Sequence, residues 1–257
     1  MNLNGKVAVV SGAASGLGLA TCRALAEAGA RIGALDRDAE RLRHLDEALK
    51  GSVVTMTADV TEAASVQAGI DATLAAFGSV HVVVSCAGVG DAAKTVSRGT
   101  PFPLAVWDKV IAINLTGTFN LIRLAAVAMA ANAPDGVTGE RGVIVNTASG
   151  AATQGQIGQA AYSASKAGIV GLTLPVARDL AEYGIRVVTI APGLFETPLV
   201  AGLPPPVAQG IIERNLAFPQ RMGHAAEFAM LVRHVVENTY FNATTISLDA
   251  GARMSAR

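Results

Sequence analysis

Positions 7–18 of the chain read Val7-Ala8-Val9-Val10-Ser11-Gly12-Ala13-Ala14-Ser15-Gly16-Leu17-Gly18, where an apolar run passes through a glycine-rich turn into a helix-like stretch. Glycine permits a sharp turn and a close approach of the backbone to a pyrophosphate, whose charge then lies at the positive end of the following helix. The spacing is Gly-x-x-x-Gly-x-Gly, and an ordinary flexible turn is the alternative interpretation. Its place between a strand and a helix favours a dinucleotide site at Gly12, Ser15, Gly16, Leu17 and Gly18.

Short apolar runs alternate with helix-like stretches from this turn onward. The runs that predict strands cover 7–10, 32–35, 53–56, 80–84, 143–145, 187–190 and 244–248. The stretches with helical spacing cover 17–28, 39–49, 63–77, 115–131 and 160–181. This alternation predicts parallel strands joined by right-handed crossovers. We therefore expect one α/β domain over residues 1–257, a doubly wound Rossmann domain whose seven-stranded parallel sheet carries helices on both faces.

Glycines and long connections mark where the predicted helices end and where ligands could bind. Left-handed residues that end helices are expected at Gly29, Gly78 and Gly184. Long connections in compact domains are often functional, and here they cover 89–104, 131–142 and 192–216. The first and third follow strands, so they belong at the carboxyl edge of the sheet, where open sheets bind ligands. We expect the third to be the substrate loop, and we assign no chemistry to the second.

Composition and charge exclude several classes of protein. Hydrophobic residues make up 51% of the chain and charged residues 16%, which suits a sheet buried on both faces. No uninterrupted apolar span reaches about 20 residues, so we expect no membrane crossing. A formal net charge of zero argues against nucleic-acid binding. Cys22 and Cys86 lie far apart, which disfavours a disulfide framework and a metal site. Without room for a targeting segment before the first run, we expect a cytoplasmic protein.

Acidic residues end the second and third predicted strands. Asp36 lies eighteen residues beyond Gly18, where a carboxylate can accept hydrogen bonds from the adenosine ribose and repel a 2′-phosphate, which predicts NAD rather than NADP. Arg37 is the conflicting residue, because its guanidinium could bind that phosphate, and Asp36 could instead cap a helix. Asp59 and Val60 end the third strand, where the carboxylate could meet the adenine amino group or cap the next helix.

Tyr162 and Lys166 lie four residues apart, on one face of a predicted helix. A nearby ammonium can lower the pKa of a tyrosine from its usual value of about 10, so that the phenolate can take a proton from an alcohol. Packing for the tyrosine and solvation for the lysine are the alternatives. Ser149 follows the run 143–145 and can reach the same substrate oxygen at the carboxyl edge. Asn114 either satisfies a backbone contact that bends its helix or holds a water that passes protons to Lys166.

Together, Gly12-x-x-x-Gly16-x-Gly18, Asn114, Ser149 and Tyr162-x-x-x-Lys166 resemble the short-chain dehydrogenase/reductase superfamily over essentially the whole chain. The resemblance implies an oxidoreductase in which Ser149, Tyr162, Lys166 and Asn114 are catalytic. It also implies further cofactor contacts, at Cys86, Ala87, Gly88, Tyr162, Lys166, Pro192, Gly193, Phe195 and Thr197. One departure is Ser85-Cys86-Ala87-Gly88, where the family usually has Asn-Asn-Ala-Gly, and it should weaken a structural hydrogen bond.

Residues 155–162, 168–179 and 191–199 look like the type II, short-chain 3-hydroxyacyl-CoA dehydrogenases, also described as type 10 17β-hydroxysteroid dehydrogenases. This similarity implies NAD-dependent interconversion of (S)-3-hydroxyacyl-CoA and 3-ketoacyl-CoA in fatty acid metabolism. Gln159 and Leu203 would then contact the substrate beside the catalytic residues, with a polar residue at a helix N-terminus as the alternative for Gln159. A hydroxysteroid or other secondary-alcohol dehydrogenase is the first alternative, and an NAD-binding scaffold without turnover is the second. Relatives of this type usually form homotetramers, with the apolar C-terminal segment as the expected contact surface.

Overall fold

Seven parallel strands form the central sheet of the computed structural model, which describes residues 1–198 and 205–255. The chain also contains a separate antiparallel pair of two-residue strands. In chain order the strands are β1 (Val7–Ser11), β2 (Arg31–Asp36), β3 (Val53–Thr57), β4 (Val82–Ser85), the pair β5 (Val96–Ser97) and β6 (Thr100–Pro101), β7 (Gly142–Thr147), β8 (Ile185–Pro192) and β9 (Thr244–Leu248).

The order across the main sheet is β3-β2-β1-β4-β7-β8-β9. Ala8 of β1 is level with Ile32 of β2 on one side and with Val82 of β4 on the other. The chain first adds β2 and β3 on one side of β1, and then adds β4, β7, β8 and β9 on the other side. The carboxyl ends of β1 and β4 therefore flank a crevice, which is where doubly wound sheets bind their ligands. This arrangement confirms the predicted fold class.

Helices cover both faces of this sheet. They are α1 (Gly16–Glu27), α2 (Ala39–Ala48), α3 (Ala63–Phe77), α4 (Leu104–Ile111), α5 (Gly117–Ala130), α6 (Ala160–Asp179), α7 (Pro205–Asn215) and α8 (Ala225–Glu237). A π-helical turn, Ala112–Thr116, joins α4 to α5. Gly29, Gly78 and Gly184 have φ of +89°, +79° and +66°, which confirms the left-handed conformations expected after helix ends.

Two apolar layers bury the sheet. On one face Leu25 of α1 and Phe228 of α8 pack with Val10 of β1. On the opposite face Ile70 of α3 and Leu121 of α5 pack among residues that include Val9 and Val83 of the strands. Neighbouring strand residues point to opposite faces, so a strand covered on both sides must be apolar throughout. Burying one such side chain stabilises the fold by roughly 1.5–3 kcal/mol.

The helix that runs without a break over Leu104–Ala130 is long and apolar enough to cross a membrane, the one such helix in residues 1–198 and 205–255. Half of its most apolar window is buried in the fold, with Leu121, Ile122 and Met129 in the core against the sheet. A core helix of a water-soluble fold has the same composition. Its apolar character therefore follows from packing against the sheet.

Three helices are absent from the sequence-based prediction. The helix α4 was not predicted because its apolar residues Leu104 and Trp107 are exposed. The apolar positions of this stretch therefore do not mark a buried helix face. α7 lies within the predicted loop 192–216, which is wrong in that part, since prolines in a first helical turn do not prevent a helix. α8 carries Phe228 and Val232 in the core at helical spacing, and this pattern was readable from the sequence.

Candidate active site

A cavity of about 590 Å³ opens at the carboxyl ends of β1 and β4, a volume within the range of ligand sites. Every residue predicted to contact the cofactor lines it, although contact with a cofactor stays a prediction. These residues are Gly12, Ser15, Gly16, Leu17, Gly18, Asp36, Asp59, Val60, Cys86, Ala87, Gly88, Tyr162, Lys166, Pro192, Gly193, Phe195 and Thr197. The cavity thus lies at the ends of six strands, β1, β2, β3, β4, β7 and β8, and at the start of α1.

The glycine turn brings backbone segments closer than side chains would allow. Gly12 has a φ of +64°, and a Cβ there would lie 2.7 Å from the amide nitrogen of Ala87. A Cβ on Gly18 would overlap the carbonyl oxygen of Gly12. Among the described residues no side chain caps the N-terminus of α1, where Ser15 is the N-cap. The positive end of α1 therefore faces the cavity through bare backbone, which suits a pyrophosphate.

Asp36 occupies the far side of the crevice from α6. Its Oδ2 accepts a hydrogen bond from the backbone N–H of Ala14 at 2.9 Å, and its Oδ1 accepts one from Asp38 at 3.1 Å. These bonds fix the carboxylate against the glycine turn, and the residue also lines the cavity. Arg37 and Arg41 line the same part of the cavity. The cavity is therefore lined both by the carboxylate that disfavours a 2′-phosphate and by the guanidinium of Arg37 that could bind one, as the sequence predicts.

Asp59 does not cap α3 and instead holds the turn before it, while its predicted contact with adenine stays a prediction. Its Oδ1 accepts hydrogen bonds from the backbone N–H of Thr61 at 2.9 Å and from the hydroxyl of Thr61 at 2.8 Å. The carboxylate therefore stabilises the turn before α3, whose N-cap is Glu62. Asp59 and Val60 nevertheless line the cavity.

Ser149, Tyr162 and Lys166 come together at the opposite end of the cavity. Ser149 lies just beyond β7, and its Oγ accepts a hydrogen bond from the N–H of Ala151 at 3.1 Å. The Nζ of Lys166 donates to the carbonyl oxygen of Thr147 at 2.8 Å and lies 5.8 Å from the centre of the Tyr162 ring. The end of β7 and the start of α6 thus place a hydroxyl, a phenol and an ammonium side by side.

Burial controls the protonation of this group. It raises the pKa of the Tyr162 phenol, and a hydrogen bond with Ser149 opposes that rise. The protein groups alone therefore do not lower the pKa of Tyr162, although a lowering by Lys166 was expected. Burial also lowers the pKa of Lys166 to about 8, because Lys166 is only 6% exposed and removal from water disfavours its charged form. Lys166 remains mostly charged at neutral pH.

Asn114 lies in the π-helical turn and is buried. Its Oδ1 accepts from the N–H of Val89 at 2.8 Å, while its Nδ2 donates to the carbonyl of Val89 at 2.9 Å and to the hydroxyl of Ser165 at 3.1 Å. The side chain thus makes the backbone contact that was one of the two alternatives. A Cβ on Gly88 would lie 3.3 Å from Asn114 Oδ1 and 3.7 Å from Lys166 Nζ. Asn114 and Lys166 therefore both lie next to Gly88, and the role of Asn114 in holding a water stays a prediction.

The departure from the usual Asn-Asn-Ala-Gly motif has a visible consequence. Ser85 of β4 and Asn146 of β7 are register partners. The Ser85 hydroxyl and both polar atoms of the Asn146 side chain are buried and have no hydrogen-bond partner in the described chain, as expected if a structural hydrogen bond is weakened. Cys86 instead places its Sγ 3.7 Å from the hydroxyl of Thr147. Burial raises the pKa of the Cys86 thiol to about 11, so it is uncharged at neutral pH.

Of the two other predicted substrate residues, one does not line the cavity and the second cannot be placed. Gln159 is the N-cap residue of α6, and its Oε1 accepts from the N–H of Gln156 at 3.0 Å, so the side chain turns away to its own loop. Gln159 does not line the cavity. Leu203 lies outside the described residues.

Other residues of the cavity were not predicted. Arg41, Thr147, Ala148, Leu194 and Pro198 all line it. The contribution of Thr147 is a backbone carbonyl, which leaves no signal in a sequence. Leu194 adjoins the predicted Gly193 and Phe195, so the cavity wall could have been extended by one residue. The described residues contain no group of three or more His, Cys, Asp or Glu arranged to hold a metal ion.

Known proteins share this arrangement. Residues 6–207 match the short chain dehydrogenase family. The chain is 48% identical to 3-hydroxyacyl-CoA dehydrogenase type-2 of Homo sapiens, covering 98% of this chain and 97% of that one, and 46% identical to the protein of the same name from Drosophila melanogaster, covering 96% and 97%.

The fold is similar to the crystal structure of 3-hydroxyacyl-CoA dehydrogenase type-2 from Mycobacterium avium, with a TM-score of 0.94, 37% sequence identity and full coverage of both chains. The family match includes the glycine turn, Ser149, Tyr162 and Lys166. Because sequence, fold and site all agree, this chain belongs to the short-chain dehydrogenase family of oxidoreductases.

Proposed function

We propose that the chain is an NAD-dependent dehydrogenase that interconverts (S)-3-hydroxyacyl-CoA and 3-ketoacyl-CoA. The observation that carries this proposal is the grouping of Ser149, Tyr162 and Lys166 at one end of the cavity, in a chain 48% identical to a 3-hydroxyacyl-CoA dehydrogenase type-2 over nearly its whole length. Membership of the family implies a nicotinamide cofactor. The bare backbone of the glycine turn and the carboxylate of Asp36 fit the pyrophosphate and the ribose of such a group.

The protein groups divide the proton chemistry among themselves. When bound, the nicotinamide ring supplies the hydride exchange with the carbon that bears the substrate oxygen. Tyr162, as the phenolate, takes the proton of the 3-hydroxyl during oxidation and returns it during reduction. Ser149 donates a hydrogen bond to the same oxygen and stabilises its developing charge. Lys166 holds a positive charge beside the phenol and favours the phenolate.

The preference for NAD rests on Asp36. Its carboxylate is fixed by the N–H groups of Ala14 and Asp38, so it cannot move aside for a 2′-phosphate without breaking both bonds. A carboxylate and a 2′-phosphate held side by side repel each other. We infer that this repulsion outweighs the attraction of Arg37 and Arg41, whose long side chains lie at the rim of the same cavity.

The first experiment is the initial rate of acetoacetyl-CoA reduction with NADH and with NADPH in parallel. We expect turnover with NADH and a rate at least tenfold lower with NADPH, since one bidentate or repulsive contact changes affinity by about that factor. Asp36→Ala should reduce this difference, whereas Asp46→Ala, an exposed acid of α2, should not. No turnover of acetoacetyl-CoA by protein that binds NADH would contradict the acyl-CoA assignment. A higher kcat/KM with a hydroxysteroid would move the substrate to that class.

We also propose that the chain assembles as a homotetramer through the segment 235–254. β9 is the edge strand of the sheet, and Tyr240 beside it is 98% exposed. An open strand edge next to an exposed aromatic side chain favours association. Sedimentation at micromolar concentration should show a tetramer that Tyr240→Glu weakens, and a monomer alone would contradict the proposal.

A further inference from the structure

The segment 253–255, here called the C-terminal strap, bridges the end of α7 and the loop that leads into α6. On one side it contacts Asn215, the last residue of α7. The N–H of Arg253 donates to the carbonyl of Asn215 at 2.8 Å, and the N–H of Ser255 donates to its Oδ1 at 3.0 Å. The end of α7 is therefore tied to the strap by both its backbone and its side chain.

On its other side the strap contacts the loop 154–159, which leads into α6. The N–H of Met254 donates to the Oε1 of Gln154 at 2.9 Å. The Nε2 of Gln156 donates to the carbonyl of Ser255 at 3.1 Å. Successive N–H groups of the strap thus alternate between the two partners, with Met254 bound to Gln154 and Ser255 bound to Asn215.

This loop is hydrogen-bonded in turn to the start of α6, the helix that carries Tyr162. The N–H of Gln156 donates to the Oε1 of Gln159 at 3.0 Å, and Gln159 is the N-cap residue of α6. The N–H of Ser163 donates to the carbonyl of Gln159 at 2.7 Å. Tyr162 lies between these two residues, in the first turn of α6. The chain of hydrogen bonds therefore runs from α7 through the strap to the turn that carries the catalytic phenol.

A small apolar cluster supports the base of the strap. Ile212 and Leu216 pack with Ala252, and Leu194 of the cavity wall joins the same cluster. The N–H of Ala217 adds a hydrogen bond to the carbonyl of Ala250 at 3.1 Å. The hydrogen bonds named above join the strap to α7 and to the loop before α6, and Leu194 links this cluster to the cavity wall near Tyr162.

We propose that Gln154 and Asn215 are positioning residues for the acyl-CoA substrate, acting through the C-terminal strap to set the distance between α7 and the start of α6. The proposal rests on the proposed function for the identity of the substrate. Each side-chain oxygen accepts a backbone N–H of a partly buried segment. Its removal takes away one of the hydrogen bonds that tie the strap to α7 or to the loop before α6. The substrate side would then open while the cofactor side stays as it is.

The test compares variants that differ in this acceptor oxygen alone. Gln154→Met and Asn215→Leu keep the approximate shape and remove the acceptor, whereas Gln154→Glu and Asn215→Asp retain it. For the Met/Leu double variant we expect the KM for acetoacetyl-CoA to rise about tenfold, given the usual contribution of two hydrogen bonds. We expect kcat to change less than about threefold and the Kd for NADH, from fluorescence titration, to be unchanged. The Glu/Asp double variant should recover a near wild-type KM.

Hydrogen exchange of the backbone amides gives a readout that does not depend on the substrate. In the Met/Leu double variant the amides of α7 should exchange faster than in wild type, while those of α1 should not. Unchanged exchange in α7 would overturn the proposal, whatever the substrate is. So would a parallel rise in the KM for acetoacetyl-CoA and the Kd for NADH, or a Glu/Asp variant as impaired as the Met/Leu one. If the wild type does not reduce acetoacetyl-CoA but the amides of α7 exchange faster in the Met/Leu variant, the proposed function is wrong. The positioning role of the C-terminal strap is then still supported.

Discussion

The cofactor side and the substrate side of the cavity are held in different ways. On the cofactor side, the closest approaches are between backbone segments at Gly12 and Gly18, and the N–H of Cys86 donates to the carbonyl of Ser11 at 3.1 Å. The Asp36 carboxylate adds one side-chain contact to the glycine turn. On the substrate side, side chains such as Gln154 and Asn215 hold segments distant in sequence. Backbone contacts of the first kind exclude any added side chain. Contacts of the second kind can be changed one acceptor at a time, so this side is the one that can be tuned.

The largest expected effect is at the residue where the two sides meet. Tyr162→Phe removes the hydroxyl that transfers the proton, and general acid–base groups contribute about 10²–10⁴-fold to rates. We expect kcat for acetoacetyl-CoA reduction to fall by such a factor while the Kd for NADH stays unchanged. Tyr183→Phe, at a side chain that is 42% exposed, should match the wild type. Retained activity in Tyr162→Phe would remove this residue from the mechanism.

A methyl group on the glycine turn should damage the cofactor side. In Gly18→Ala the new Cβ overlaps the carbonyl oxygen of Gly12, and forced backbone shifts of this kind cost about 1–3 kcal/mol. We expect the Kd for NADH to rise about tenfold or more. The matched control is Gly171→Ala in α6, where a Cβ meets nothing within 4 Å. Equal NADH affinity in the two variants would show that the close approach at Gly18 is not required.

A change of charge beside Tyr162 should shift the pH profile. Burial lowers the pKa of Lys166 to about 8, so below that pH the ammonium is present, and we expect it to stabilise the phenolate once substrate and cofactor are bound. Oxidation of 3-hydroxyacyl-CoA needs the phenolate, and its rate therefore rises with pH. In Lys166→Met the pKa of the phenol rises, and the rate increase should move upward by about one pH unit. The exposed Lys50→Met is the control, and a profile that coincides with wild type would contradict the role of Lys166.

The smallest effect is expected at the amino edge of the sheet, away from both sides of the cavity. The Nδ1 of His81 accepts from the N–H of Val7 at 3.2 Å, and burial, aided by the charge of Lys6, lowers the pKa of His81 from 6.5 to about 4. Between these values the unfolded chain binds a proton that the folded chain does not, so stability falls as pH drops from about 6.5 to about 4.

His81→Gln should remove this component, and its Tm should decline less steeply than that of wild type over the same range. His44→Gln, at an exposed histidine of α2, should keep the wild-type slope. NADH and acetoacetyl-CoA binding should be unaffected by either change. Parallel Tm curves for wild type and His81→Gln would show that this histidine does not contribute.

The sequence predicts the cofactor side far better than the substrate side, and the reason is physical. The strands and the glycine turn follow from local rules, since burial on both faces requires apolar runs and a close backbone approach requires glycine. Ser149, Tyr162 and Lys166 were predictable because parallel strand ends and helix starts converge at one edge. The position of the Gln159 side chain was not predictable, because its oxygen accepts a hydrogen bond from the backbone N–H of Gln156 in its own loop. The strap was not either, because nothing local marks contacts between residues 100 positions apart.

The side chain of Asn114 also has a consequence for how this fold can diversify. By accepting from the N–H of Val89 and donating to its carbonyl, the carboxamide imitates the peptide group of a neighbouring strand. It continues the pairing of β4 beyond the end of the sheet and pins the chain at one fixed point of departure. Residues between this point and the start of α4 can change without removing the two hydrogen bonds that fix Val89. A chain of this kind could vary that connection while the surroundings of Asn114 and Lys166 stay the same.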